Sequence, residues 1–316
     1  MKVVALAGGV GAGKFLRGLV RAVPEEDVTV VVNTGDDISL HGLHVSPDID
    51  SVTYWLAGVA DRERGWGRAD ETFRSSEELR ERFGSPDAWF NLGELDIAVH
   101  LFRTAAIDEG ATLSQATSRI ASGFGLATRI VPMSNDRVTT RIEAVGEGGE
   151  ALDLLFQEYW VQRAARHEVK GVRYDGAGAA RPEPEALEAL ASADAVVVCP
   201  SNPVASIGPI LAVPGIREAA ASKSERVVGI SPIVGGAPLR GMADKLMPVD
   251  GLEVSAAGAA RAYEGLLGAW VIDESDRDLG LRIVDELGIR VGVTDTIMDD
   301  DEKAEALARF ALEMVS

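Results

Sequence analysis

Cysteine is almost missing from this chain: Cys199 is the only one in 316 residues. That excludes an intramolecular disulfide framework and suits a reducing compartment. No apolar run approaches the roughly 20 residues a membrane-spanning helix needs, and the first apolar run meets glycines too early to be a signal-peptide core. The expected compartment is the cytoplasm, with no membrane partner. No Cys or His residues have metal-site spacing, and no serine-hydrolase elbow occurs. Positive charge is also short, with 31 Lys and Arg against 50 Asp and Glu and a formal net charge of −19. Nucleic acid and anionic lipid would be repelled at long range, so neither is expected as a partner.

What is present suits a globular protein of one large or two modest domains, with 46% hydrophobic residues. Its most distinctive stretch is residues 3–15, VVALAGGVGAGKF. A short β-branched run reads as a buried strand, and Gly8, Gly9, Gly11 and Gly13 then allow backbone amides to approach a ligand closely. Apolar residues at helical spacing follow from Lys14, so strand, glycine turn and helix form a unit suited to an anion. Two motifs nearly fit. As a Walker A loop, Gly8, Gly13 and Lys14 are correctly spaced, but Phe15 stands where Ser or Thr would hold magnesium. As a dinucleotide fingerprint, Gly9 and Gly11 fit, but Lys14 occupies the third glycine position.

The rest of the chain predicts a fold. Apolar β-branched runs at 28–32, 194–199, 226–231, 269–272 and 289–293 read as strands, with helices at 51–60, 276–287 and 301–315. Between them, 60–134 is mostly helical, with helices at 76–83, 94–106 and 114–123 and an irregular segment at 64–68. Runs at 138–145 and 154–161 suggest a small antiparallel sheet. The expectation is one α/β domain over 1–316: a Rossmann-like, doubly wound parallel sheet from 1–60 and 176–316, with helical and antiparallel β segments inserted at 61–175.

Carboxylates gather on two expected strand-end loops, Asp36 and Asp37 on one, Asp48 and Asp50 on the other. Hard oxygen ligands in that number suit Mg2+, which binds through one or two carboxylates plus substrate phosphates; helix caps and solvated acids are the plainer reading. The segments around Ser201, Asn202, Ser206 and Gly208, and around Ser231, offer hydroxyls, an amide and free N–H groups for a second phosphate or base cradle. His100 lies one helical turn from Asp96 and could orient a phosphate, shuttle a proton, or serve structure alone. Cys199 is assigned no catalysis.

Six motifs in order, Gly8–Lys14, Asn33–Asp37, Ser46–Asp50, Arg64–Gly67, Pro200–Pro209 and Ser231–Gly235, resemble the 2-phospho-L-lactate transferase family of deazaflavin coenzyme F-420 biosynthesis. The resemblance implies transfer to the ribityl 5′-hydroxyl of Fo, 7,8-didemethyl-8-hydroxy-5-deazariboflavin. The donor would be a guanosine diphospho compound carrying a 2-phospholactyl or phosphoenolpyruvyl group, GMP would leave, and the protein would be a magnesium-dependent homodimer. By the same resemblance, Asp36 and Asp50 are the catalytic and metal-binding residues, with Asp37 and Asp48 beside them. Substrate contacts are further implied at the four glycines, Lys14, Asn33, Asn91, Asp96, His100, Met133, Ser201, Asn202, Ser206, Gly208 and Ser231. The chain departs from the family at Gly93-Glu94-Leu95-Asp96, where an arginine is replaced by Leu95, and at Asn135, where aspartate is usual. These changes bear on the Fo pocket or the donor. The competing readings are a nucleotide-dependent kinase with a P-loop-like turn and a nucleotide-sensing regulator without chemistry.

Overall fold

The computed structural model describes residues 1–315. Its centre is a parallel sheet of β1 (Val3–Ala7), β2 (Val28–Val32), β3 (Arg129–Pro132), β4 (Ala195–Val198), β5 (Val227–Ile230), β6 (Ala269–Asp273) and β7 (Arg290–Thr294). The spatial order is β7-β6-β5-β4-β1-β2-β3. It reverses between β1 and β4, and open α/β sheets bind ligands outside the carboxyl ends of their strands at such a reversal.

The central strands are continuous apolar runs because both faces are covered. Val3, Ala5 and Ala7 of β1 pack with Phe15, Leu16 and Leu19 of α1 (Gly9–Ala22), whereas Val4 and Leu6 belong to the opposite layer with Ile207 and Ile210. On its outer side α1 meets the C-terminal helix Asp301–Glu313 closely, since a Cβ on Gly18 would overlap the Ala304 backbone. Arg17 adds an ion pair to Asp301 at 2.9 Å.

After β2 the chain bends through Asn33–Asp37 and forms a hairpin, Ile38–Leu40 against Leu43–Val45. Its turn residues His41 and Gly42 have φ of 52° and 77°, the left-handed pair that a tight hairpin turn requires. The hairpin returns the chain to Ser46, where α2 (Pro47–Leu56) begins. A helical layer follows, α3 (Arg74–Glu81), α4 (Glu94–Asp108) and α5 (Leu113–Gly123). A separate antiparallel sheet has Thr139–Val145 between Ala151–Leu155 and Glu168–Asp175.

The expected Rossmann-like sheet, helical segment and antiparallel element are all present, with local differences. β3 comes from within 61–175 yet pairs with β2 in the main sheet. The strand expected at 154–161 ends at Leu155 and gives way to a π-helical turn, Glu158–Gln162; alternation over so few residues does not separate the two. The helix expected at 276–287 opens as a 3-10 turn, Glu274–Leu279. The hairpin at 38–45 was not expected.

The glycine turn is crowded by protein as well as open to ligand. A Cβ on Gly11 would overlap the Pro200 carbonyl oxygen in the loop after β4, and one on Gly13 would overlap the Trp55 ring. Both glycines therefore have a packing reason to be glycine. Gly11→Ala is expected to lower stability by about 1–3 kcal/mol, the usual cost of overpacking, measured by urea denaturation; wild-type stability would contradict the packing account.

Candidate active site

Asn33 is the hub at the carboxyl end of β2. Its Oδ1 accepts the Gly35 N–H at 2.7 Å, which folds the loop back on itself. Its Nδ2 faces the Asp48 carboxylate at 2.9 Å and the Asp36 carboxylate at 3.4 Å. One amide group thus gathers two carboxylates from different loops. The Gly9 N–H, at the start of α1, also donates to Asp48, and Ser206 packs against Gly8 from the opposite side. The second oxygen of Asp36 accepts Gln157 Nε2 at 2.7 Å. Neither Asp36 nor Asp48 has a cationic side chain in ion-pair contact among the described residues.

The other two aspartates are placed differently. Asp37 accepts His44 Nε2 at 2.9 Å and Ser46 Oγ at 2.8 Å, both delivered by the hairpin. Asp50, on α2, forms a forked ion pair with Arg103 of α4, one arm at 3.1 Å. Arg103 is fully buried and also donates to the His44 carbonyl oxygen and to His100 Nδ1. Asp50 is therefore matched by protein, which removes the charge reason for giving it a metal. Asp48, beside Asp36, has no such partner among the described residues.

Burial raises the Asp37 carboxyl, against its His44 and Ser46 hydrogen bonds. Burial, then the Asp48 and Asp37 charges, push the Asp36 carboxyl well above the usual range. Burial, helped by the Asp37 charge, raises Asp48 to about 7 against its Asn33 and Gly9 hydrogen bonds. Such a pair favours either a shared proton or a bound cation. Among the described residues no set of three or more His, Cys, Asp or Glu side chains is arranged to hold a metal ion. A cation would have these two carboxylates and draw its remaining ligands from water or substrate oxygens, a donor set that fits magnesium. Buried polar atoms around the crevice fit a ligand too: Thr34 Oγ1, Asp37 Oδ1, Thr140 Oγ1 and Ser201 Oγ have no protein hydrogen-bond partner among the described residues.

The remaining expected residues divide between the crevice and the framework. Asp96 is buried facing Tyr54, raised to about 7 by burial and by the Glu71 and Asp50 charges. His100 is lowered to about 4 by burial, so its imidazole is neutral and accepts from Arg103 at Nδ1. Asn91 Oδ1 is buried and unpartnered among the described residues. Lys14 lines a side cavity with Trp55, Arg62 and Asp299, its Nζ 6.0 Å from the Trp55 ring centre. Asn202 caps the π-helical turn Pro203–Ile207, accepting the Val204 and Ala205 N–H groups at 2.9 and 3.1 Å. Ser231 Oγ is taken by the Ile233 backbone, Met133 is fully buried in the core, and a Cβ on Gly208 would overlap the Tyr174 hydroxyl. Gln157, Arg103 and Thr140 were not expected. Their partners lie between 53 and 121 residues away or across a sheet contact, and no local pattern marks them.

Fold and site together define a Rossmann-like α/β protein with buried carboxylates at its ligand crevice. The chain belongs to the 2-phospho-L-lactate transferase CofD family, whose match covers residues 3–289. It is 48% identical over 315 residues to a phosphoenolpyruvate transferase of Streptomyces griseus, covering 99% of this chain and 98% of that protein. It is 39% identical over 311 residues to a 2-phospho-L-lactate transferase of Methanosarcina mazei, covering 98% and 99% respectively. The fold is shared with a UPF0052 family member of Bacillus halodurans, with a TM-score of 0.65 at 17% identity over 97% of this chain and 98% of that one.

The raised carboxylates carry a pH signature. Their folded forms keep a proton above the ordinary aspartate value of 3.8, so the stability they contribute is present below that value and is lost as pH rises through about 7 for Asp48. In metal-free protein, Asp48→Asn should therefore gain stability relative to wild type between about pH 5 and about pH 8, by on the order of a few kcal/mol. Thermal melting in chelator measures it. A difference between the two proteins that does not change with pH would contradict it.

Proposed function

We propose that this protein transfers a phosphoenolpyruvyl group from enolpyruvyl-2-diphospho-5′-guanosine to the ribityl 5′-hydroxyl of Fo, releasing GMP, in coenzyme F-420 biosynthesis. The observation that carries the reading is the Asp36–Asp48 pair, buried without a protein cation at the open end of α1. The choice of donor is supported by the name of the 48% identical Streptomyces griseus relative.

In this reading the Fo hydroxyl oxygen forms a bond to the phosphorus bearing the enolpyruvyl group. The bond from that phosphorus to the oxygen bridging to GMP breaks, and GMP leaves with that oxygen. Asp36 and Asp48 would hold Mg2+, which supplies neutralisation of charge on the diphosphate. The chain's own groups position and bond: free N–H groups of the first turn of α1, with Ser201 and Ser206, face the donor phosphates. The proton leaving the hydroxyl would pass to a carboxylate oxygen of the pair that the cation leaves free. Asp50, held by Arg103, and Asp96 shape the Fo side. Phosphoryl-type transfer needs little more than this positioning and charge neutralisation.

The reading includes a homodimer in the cytoplasm. Its support is the outer side of α4, where Leu95, Leu101 and Phe102 are 39%, 54% and 49% exposed, and the state of Cys199, a buried free thiol. Light scattering that finds only monomer would remove the dimer from the account.

Mass analysis of Fo incubated with each guanosine diphospho donor and magnesium tests the central step. Expected are the enolpyruvyl phosphodiester of Fo and GMP in equal amounts, with loss of about 100-fold or more in Asp36→Asn and Asp48→Asn. Turnover of nucleotide without Fo would instead favour a kinase, and nucleotide binding without product at any magnesium concentration would favour a sensor.

A further inference from the structure

The antiparallel sheet is an odd attachment for a Rossmann frame, and its contacts with the Asp36 loop are informative. Gln157 leaves the end of the strand Ala151–Leu155 and opens the π-helical turn Glu158–Gln162. Single π-helical turns are rare and occur often at functional sites. The turn is pinned on both sides of Gln157. Glu158 accepts the Leu155 N–H at 2.8 Å, and the buried Tyr159 donates its hydroxyl to the His167 carbonyl oxygen at 3.1 Å. The same sheet docks on the Asp36 loop a second time, where the Thr140 N–H donates to the Gly35 carbonyl oxygen at 2.6 Å. Gln157 itself is 6% exposed, and its Nε2 lies 2.7 Å from Asp36 Oδ2.

We propose that Gln157 is a positioning residue: its amide fixes one oxygen of Asp36, so that the other stays turned toward Asn33 and Asp48 and the two carboxylates form one cation-binding pair. The inference rests on the function proposed above for its place in the reaction, but not for its geometry. Asn33 reaches the pair from the Rossmann frame and Gln157 reaches it from the inserted sheet. The orientation of Asp36 is thus set by two parts of the chain far apart in sequence. A neutral amide is the suitable group, because it donates to a carboxylate without cancelling the charge a cation would need. A lysine or arginine there would occupy the site itself.

The test uses the full-length chain and Mn2+ alone as probe, followed by water-proton relaxation, beside metal-free melting and steady-state kinetics with Fo and donor. Gln157→Leu should weaken Mn2+ binding and lower kcat by about 10–100-fold, the range seen when groups that orient metal ligands are removed. The KM values for Fo and donor should stay within about 2-fold, because such a change removes orientation and not substrate contact. Gln157→Asn, which keeps the amide but withdraws it by one methylene, should fall between Leu and wild type and provides the same comparison if the Leu variant does not fold. Folded variants with wild-type Mn2+ affinity and kcat, changed only in melting temperature, would overturn the proposal. Weakened Mn2+ binding in a protein whose wild type transfers nothing to Fo would support the positioning role and remove the proposed reaction. Unchanged Mn2+ binding beside an active wild type would do the reverse.

Discussion

Asp36 and Asp48 are brought within reach of one Asn33 amide and buried, with no positive side chain in ion-pair contact among the described residues, an arrangement that works against folding unless a proton or a cation joins it. Much of the surrounding architecture serves that meeting. β2 delivers Asn33, and the hairpin turned by His41 and Gly42 brings the chain back so that α2 can begin with Asp48. The loop after β4 closes the other side through Pro200 and Ser206. Removing the glycine at Gly8 or Gly11 would push these pieces apart before any ligand was affected.

Four aspartates with similar positions in sequence thus have two different fates. Asp50 is matched by Arg103 in a buried ion pair, which is costly to break because it strands the partner charge, whereas Asp37 has hydrogen bonds from the His44 ring and the Ser46 hydroxyl. Arg103 also donates to the neutral ring of His100 and the His44 carbonyl oxygen, so α4 is tied to both carboxylate loops by one guanidinium. Asp36 and Asp48 receive only amide donors. The framework is ion-paired at Asp50, and the pair where chemistry is proposed has hydrogen bonds without a cation among the described residues.

How much of this could be read before the structure follows from the range of the interactions. Continuous apolar runs such as Val28–Val32 report a strand buried on both faces, a local property, and the parallel sheet follows from their alternation with helices. The gathering of aspartates near the glycine turn was legible because strand-end loops of one sheet share an edge. Their division was not, since Arg103 lies 53 residues from Asp50 and Gln157 lies 121 from Asp36. The resemblance pointed to Asp50 as a metal ligand; its ion pair with Arg103, invisible in the sequence, is the reason Asp48 is proposed instead. Asn202 read as part of a phosphate or base cradle, and its two backbone hydrogen bonds add a capping role. Gly11 read as a place where a backbone amide could approach a ligand, and the nearby Pro200 carbonyl oxygen gives it a packing reason to be glycine as well.

The proposed cation site is the unmatched Asp36–Asp48 pair and not Asp50. Anomalous diffraction at the manganese edge, from crystals grown with Mn2+, GDP and Fo, tests this directly. One strong peak within ligand distance of Asp36 and Asp48 is expected, with the Asp50–Arg103 pair intact. A peak coordinated by Asp50, with Arg103 displaced from it, would rule the assignment out.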